Sequence, residues 1–367
     1  MKNKFSMLTI AIAASLGLVA CGGTTESAGD NIKIGMMTDS GTIDDKSFNQ
    51  ATWEGIKRYE SENGTIVAQY IKPIGETTAD YMQAADDLIT AGNQMIIAPG
   101  FKFDEAITKL QEQYPDIKFV MIDGQPEEVA ENTIAIYFAE HEAGFLAGIT
   151  AALETKTGKV GFIGGMKSES IEKFGYGYVA GVAYANKHFG TNAEVVDYLY
   201  NGTFTDVAGG QAQAGSMYDK GIDIIFTAAG RVGSGVITEA KTRTEAGDKV
   251  YVIGVDVDQY EDGIYNQETN ESVILTSALK RVDNASYTKV DEFINGTFTG
   301  GEVITMTAEV DGVGLPETNP NLTTETQETV NELLANIKAG NLVIPSTDAD
   351  VQSFLSEMGY QGAKINF

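Results

Sequence analysis

The sequence predicts an α/β protein made of two similar lobes, each with a parallel sheet, joined by a hinge. Three observations carry this. At 367 residues the chain exceeds the size at which one core usually stops growing, so two domains are expected. Short apolar runs alternate with helical segments, which is the rhythm of βαβ units and parallel sheets. The second half repeats that rhythm, although no sequence repeat links the halves. Apolar residues make up 43% and aromatics 9%, enough for sizeable cores.

The elements follow in order. NIKIGMM (Asn31–Met37) is a strand, and a helix runs from about Phe48 to Asn63. TIVAQYI (Thr65–Ile71) is the second strand. TTADYMQAADDLITAG is a helix with Thr78 or Asp80 near its cap and Gly92 at its end. QMIIAPG is a strand, FDEAITKLQEQYP a helix stopped by Pro115, KFVMIDG and TIAIYF the fourth and fifth strands. The second series opens with the helix EHEAGFLAGITAALE and the strand KVGFIGGM. A helix from about Ile171 to Phe189, the strand AEVVDYLY, the helix TDVAGGQAQAGSMYDKG and the strand IDIIFTAAG come next. VGSGVITEAKTR is helical, KVYVIGVDVDQ and SVILTSALK extended, and Val282–Gly296 a helix that returns to the first lobe. The tail reads as strand-like EVITMTAEV, a polar loop, the helix ETVNELLANIKAG, and a final strand and short helix in LVIPSTDADVQSFLSEMG. The expected lobes are 31–138 with about 278–300, and 139–277 with about 301–367.

Charge and residue counts exclude several classes. The formal charge is −27, which disfavours a nucleic-acid partner because phosphates repel such a surface. One cysteine, Cys21, allows no intrachain disulfide. Two histidines, His141 and His188, cannot supply a usual zinc site. No metal or cofactor is expected. Residues 1–20 carry Lys2 and Lys4 before an apolar run too short for an ordinary membrane span. The run ends Leu18-Val19-Ala20-Cys21. It resembles the bacterial lipobox, which implies an acylated Cys21 as the mature N-terminus, with GGTTESAGD (22–30) as a flexible tether. The expected location is the extracytoplasmic face of the cell membrane, with the lipid as the contact to the bilayer.

Loops at the carboxyl ends of parallel strands form the ligand crevice of open α/β sheets. In this chain they carry the Asp45–Asn49 loop, Gly100-Phe101 and Asp123 in the first half, and Phe174, Gly230 and Asp256 in the second. Lys280 sits where the chain crosses back. Phe48 and Phe174 are suited to sandwiching a flat ring, since stacking is worth ~1–3 kcal/mol per base, although each by itself better suits a core or a hydrophobic staple. Asn49 suits a base edge or a helix cap. Asp123 and Asp256 suit adjacent sugar hydroxyls or N-caps. Asp256-Val257-Asp258 is not a calcium loop, because Glu261 and Gln267 stand where Gly and Glu are required. GRVGSG is not a dinucleotide fingerprint. No catalytic constellation is present, so a binding protein is expected rather than an enzyme.

The pieces IDDKSFNQATWEG, IIAPGFKF, YPDIKFVMID, AEHEAGFLAG, KVGFIGGM, FGYGYVAGV, IIFTAAGRVGSGV, VIGVDVDQ and SALKRVDNA occur in an order covering most of 31–290. Together they resemble the basic membrane protein family, the purine-nucleoside receptors of ABC transporters. The resemblance implies a type I periplasmic-binding-protein fold with two Rossmann-like lobes, an ABC permease as partner and a nucleoside in the interlobe cleft. By it, Phe48 and Phe174 stack on the purine, and Asn49 and Asp123 contact the base. Asp256, Gly230 and Lys280 contact the ribose, and Asp45 belongs to the same loop. Arg231-Val232 and Tyr176 depart from the family's common residues, which bears on ligand preference. A monomer is expected. The competing readings are a receptor for a simple sugar such as ribose or galactose, and a surface lipoprotein acting in signalling or host contact.

Overall fold

A computed structural model describes residues 32–360 and 362. The expected leader, tether and Cys21 lie outside the described residues. The first series is β1 (Ile32–Met37), α1 (Phe48–Asn63), β2 (Ile66–Ile71), α2 (Thr78–Thr90), β3 (Asn93–Pro99), α3 (Asp104–Gln113), β4 (Lys118–Ile122) and β5 (Thr133–Phe138). The second is α4 (Glu140–Glu154), β6 (Lys159–Gly164), α5 (Glu169–His188), β7 (Glu194–Tyr200), α6 (Val207–Asp219), β8 (Ile224–Ala228), α7 (Arg231–Glu245) and β9 (Tyr251–Asp256). A small hairpin, β10 (Ile264–Asn266) and β11 (Glu271–Ser272), precedes β12 (Ile274–Lys280) and α8 (Val282–Ile294). The chain continues with β13 (Glu302–Met306), β14 (Val313–Gly314), α9 (Thr324–Lys338) and α10 (Asp348–Met358).

The two large sheets share one topology. The first is ordered β13-β5-β4-β3-β1-β2 and the second β14-β12-β9-β8-β6-β7. All pairs are parallel except β12 with β14. The strand order reverses beside β1 and beside β6, and there the carboxyl-end loops diverge and leave a crevice. The central strands are apolar and buried on both faces, as parallel strands covered by helices must be. The architecture expected from the sequence is therefore present.

Four details differ from expectation. The whole of Ile274–Lys280 belongs to the second sheet, and Glu302–Met306 pairs with β5 in the first. The latter is an edge strand: Ile304 and Met306 pack on the core while Val303 stays exposed, the period-two alternation of a half-covered edge. The expected final strand in LVIPS does not form; Ile344 is buried, but Pro345 has no N–H for a ladder. α2 is capped by Thr77 through a capping box with Asp80, one residue before the expected position.

The connections that cross between lobes are packed unusually close. α4 leaves the first sheet but lies on α5 of the second. A Cβ placed on Gly148 would stand 2.1 Å from the Tyr178 carbonyl oxygen, and one on Gly177 would stand 2.0 Å from that of His141. Only glycine allows backbone to touch backbone there. α8 returns to α1 in the same way, with Gly55 against the Asp283 carbonyl and the Ser286 hydroxyl donating to the Thr52 carbonyl at 2.9 Å. These contacts fix where α4 and α5 begin. Gly148→Ala is expected to lower stability by ~1–3 kcal/mol through overpacking, despite alanine's better helix propensity. Thermal or urea unfolding checks this; a stability equal to wild type or higher would show that the crossing yields.

Candidate functional site

The loop between β1 and α1 is built on Asp45, which is buried. Its carboxylate accepts from the backbone N–H of Ser47 (3.0 Å), Asn49 (3.0 Å) and Gln50 (3.1 Å), and from the Asn49 amide (2.8 Å). The opening N–H groups of a helix have no partner within it, so Asp45 does the capping that the Ser47 side chain does not. The Ser47 hydroxyl is left to donate to Asp256 at the end of β9. The Asn49 amide donates to Asp39 as well as to Asp45, 2.8 Å each, and its carbonyl accepts from the Asp39 N–H at 3.2 Å. Asn49 thus lines the cavity while its amide protons are committed to holding the loop.

The two sheets present matching strand ends. Asp123 follows β4 with φ 59° and Asp256 ends β9 with φ 65°, left-handed values that aspartate tolerates better than most residues. Gly230 precedes α7 with φ 56° and ψ −130°, a region essentially restricted to glycine. Phe48 opens α1 on the first wall. Phe174 lies in the first part of α5 on the second wall, where its ring meets Phe226 edge-on at 5.9 Å.

Lys280, at the end of β12, joins these parts and is 2% exposed. Its ammonium donates to the Asp123 carboxylate and to the Ser170 hydroxyl (2.7 Å), and pairs with Glu140 at 2.8 Å. Ser170 in turn donates to Glu140 at 2.8 Å. The same ammonium lies 5.2 Å from the ring centroids of Phe48 and Phe138 and 5.9 Å from that of Phe174, within cation–π range. Burial works against its charge, but Asp123, Glu140 and Asp256 outweigh it and raise the lysine above its usual value. Lys280 is therefore charged at neutral pH. Asp123 Oδ1 and Glu140 Oε2 have no hydrogen-bond partner among the described residues.

All the residues singled out from the sequence meet at one cavity of about 330 Å³: Asp45, Phe48, Asn49, Asp123, Phe174, Gly230, Asp256 and Lys280 line it. Ser47 lines it too, as part of the expected Asp45–Asn49 loop, whereas Asp39, Asp104, Tyr137, Ser170 and Phe204 in the wall, and Glu140 behind Lys280, were not expected from the sequence. Glu140 opens α4 two residues after β5 and Asp104 opens α3 five residues after β3, so an acid at the first helix turn beyond a strand was the available signal. Trp53 lies outside the wall, edge-on to Tyr70 at 5.2 Å. Among the described residues no cluster is suited to a metal ion, and no helix is long and apolar enough to cross a membrane.

The wall is rich in carboxylates that burial makes hard to ionise. Burial pushes Asp256 up to about 7, against the favourable influence of Lys280 and Ser47. It pushes Asp104 up to about 7, opposed only by a backbone hydrogen bond from Gln125, and it raises Asp39 as well. A carboxyl whose native value lies above its unfolded value of ~4 keeps its proton in the native state longer. Its contribution to stability is therefore lost as pH rises from about 4 to about 7. Melting is expected at higher temperature at pH 5.5 than at pH 8, and Asp104→Asn is expected to reduce the difference. Equal slopes in the variant and wild type would remove Asp104 from this account.

With the geometry in hand, the relatives are informative. The profile of the family described as "ABC transporter substrate-binding protein PnrA-like" matches residues 32–348. The chain is 34% identical to a CD4+ T-cell-stimulating antigen of Listeria innocua, covering 94% of this chain and 99% of that one. It is 32% identical to the ABC transporter nucleoside-binding protein BmpA of Lactococcus lactis subsp. cremoris, covering 94% and 99%. Among solved structures it resembles an ABC transporter solute-binding protein from Aeropyrum pernix K1, with a TM-score of 0.75 and 26% identity over 89% of this chain and 97% of that one. The family is one of non-enzymatic substrate-binding proteins, and the solved solute-binding neighbour has the periplasmic-binding-protein type of fold. The chain belongs to the PnrA-like family of ABC transporter substrate-binding proteins.

Proposed function

We propose that the protein is a lipid-anchored, extracytoplasmic receptor that captures nucleosides, purine nucleosides foremost, and delivers them to an ABC permease. The observation that carries the reading is the placement of Phe48 and Phe174 on opposite walls of one cavity, both against the Lys280 ammonium. Two aromatic faces suit a flat base, and the volume of about 330 Å³ falls in the range of small-ligand pockets. Asp256 supplies an acceptor and Gly230 close backbone approach for a ribose, while the Lys280 ammonium, its N–H groups held by Asp123, Ser170 and Glu140, sets the positive charge beside them. Asp123, with one oxygen held by Lys280 and the other without a partner, suits an N–H on the base edge. Asn49 supports this wall by fixing the loop that carries Phe48. The nucleoside-binding name of the Lactococcus relative agrees with this reading.

Charge argues for nucleosides over nucleotides. Asp39, Asp45, Asp104, Asp123, Glu169 and Asp256 line the cavity against Lys167, Arg231 and Lys280, and Lys280 is already paired. A phosphate entering would meet an excess of acidic groups, and the burial that already resists the charge of Asp104 and Asp256 would resist its charge as well. Titration calorimetry with adenosine, guanosine, inosine, adenosine monophosphate and ribose tests the assignment. Micromolar or tighter binding is expected for at least one purine nucleoside, with none for ribose or the monophosphate. Tight ribose binding without a nucleoside signal would overturn it in favour of a sugar receptor.

The anchor rests on Cys21 and its lipobox-like context. Cys21→Ser is expected to move the protein from the membrane fraction to the soluble fraction of cells expressing it. Retention of the variant on membranes would exclude lipidation at Cys21 as the anchor. The protein works as a monomer in this reading, each copy carrying a complete cavity.

A further inference from the structure

Gln259 lies outside the cavity wall, yet it is 3% exposed and uses both ends of its amide. Its Oε1 accepts from the Val255 N–H at 3.0 Å, and its Nε2 donates to the Lys46 carbonyl at 2.8 Å. Its own backbone N–H donates to the Ser277 hydroxyl at 3.1 Å. Val255 and Ser277 belong to the second sheet. Lys46 belongs to the loop before α1 of the first. One side chain therefore ties the β9 end of one wall to the loop that carries Phe48 on the other.

The surroundings are shaped to this bond. Lys46 holds φ 61°, a left-handed conformation that costs a non-glycine residue ~1–2 kcal/mol. On the other side, a Cβ on residue 254 would stand 2.4 Å from Gln259 Oε1, so Gly254 leaves room for the amide. The neighbouring Lys46–Asp262 ion pair, 3.5 Å with both partners partly exposed, contributes little by comparison. Breaking this hydrogen bond takes the donor from a part-buried Lys46 carbonyl and leaves the buried Gln259 amide N–H unpaired, and an unmade bond there costs more than the bond itself contributes.

We propose that Gln259 is the positioning residue that clasps the two walls, holding Phe48 in place over the cavity without touching the ligand. The inference rests on the cavity being the ligand site; the identity of the ligand does not enter. A bond that forms only when the walls meet adds to the stability of the closed arrangement, and a ligand enclosed there leaves more slowly because the clasp must open first.

Gln259→Glu tests this in the full chain. It preserves size and the acceptor for Val255 but sets a carboxylate oxygen against the Lys46 carbonyl. Gln259→Asn, neutral and one methylene shorter, is the second variant should the first fail to fold. The first readout needs no ligand: amide hydrogen exchange in peptides spanning 40–52 and 254–264 is expected to quicken about tenfold. The second is the dissociation rate of adenosine, guanosine and inosine, expected to rise by about tenfold and by the same factor for each. Lys46→Met, which removes only the exposed ion pair, is expected to change neither. Unchanged exchange in a folded variant overturns the clasp. So does a lowered melting temperature with unaltered dissociation, which would make Gln259 merely structural. If wild type binds no nucleoside, the nucleoside reading fails while the exchange measurement still decides the clasp.

Discussion

The buried ammonium of Lys280 is the constraint on which the rest of the site depends. Three carboxylates and three aromatic rings surround it, and they come from both halves of the chain. A charge taken out of water is costly unless it is paired and hydrogen-bonded. Asp123, Glu140 and Ser170 must therefore stay within bonding distance of Nζ. That requirement pins the end of β4, the start of α4, the start of α5 and the end of β12 to one point. Such a network is weak evidence for stability, since apolar packing often serves as well. Its use here is positional: it specifies which strand ends meet and at what distance.

Much of the fold was legible in the chain because parallel sheets leave a strong pattern. Buried strands such as QMIIAP and IIFTA read as continuous apolar runs, and the helices between them carry their own stops at Gly92 and Pro115. The weaker signals lay at the periphery. Glu302–Met306 is an edge strand whose sheet depends on a partner far away in sequence, and nothing local specifies it. Leu342–Ile344 has strand-like residues, but pairing also needs an open edge.

The site divides in the same way. Residues at strand ends were found from position alone, since topology sends those ends to one crevice. Their hydrogen bonds were not legible. Asn49 suits a base edge by chemistry, yet two nearby carboxylates take both its amide protons. Asp45, placed in the ligand loop by its position, spends its carboxylate on the opening N–H groups of α1. Glu140 had its position after a strand as a signal, but its pairing with Ser170 and Lys280 depends on α4 lying on α5, a contact made by backbone and therefore silent in side-chain chemistry. The comparison with relatives establishes the family, and the particular arrangement of bonds belongs to the structure.

The glycine crossing of α4 and α5 has one more consequence. Because main chain rests on main chain there, the scaffold holds the helices that carry Glu140 and Phe174 at a fixed separation, and the Lys280 network then sets where their first turns point. Cavity-facing residues outside the Lys280 network are free to change over evolutionary time without disturbing that frame. A receptor built this way can acquire a new ligand repertoire by point substitution, with the register of its two halves inherited intact.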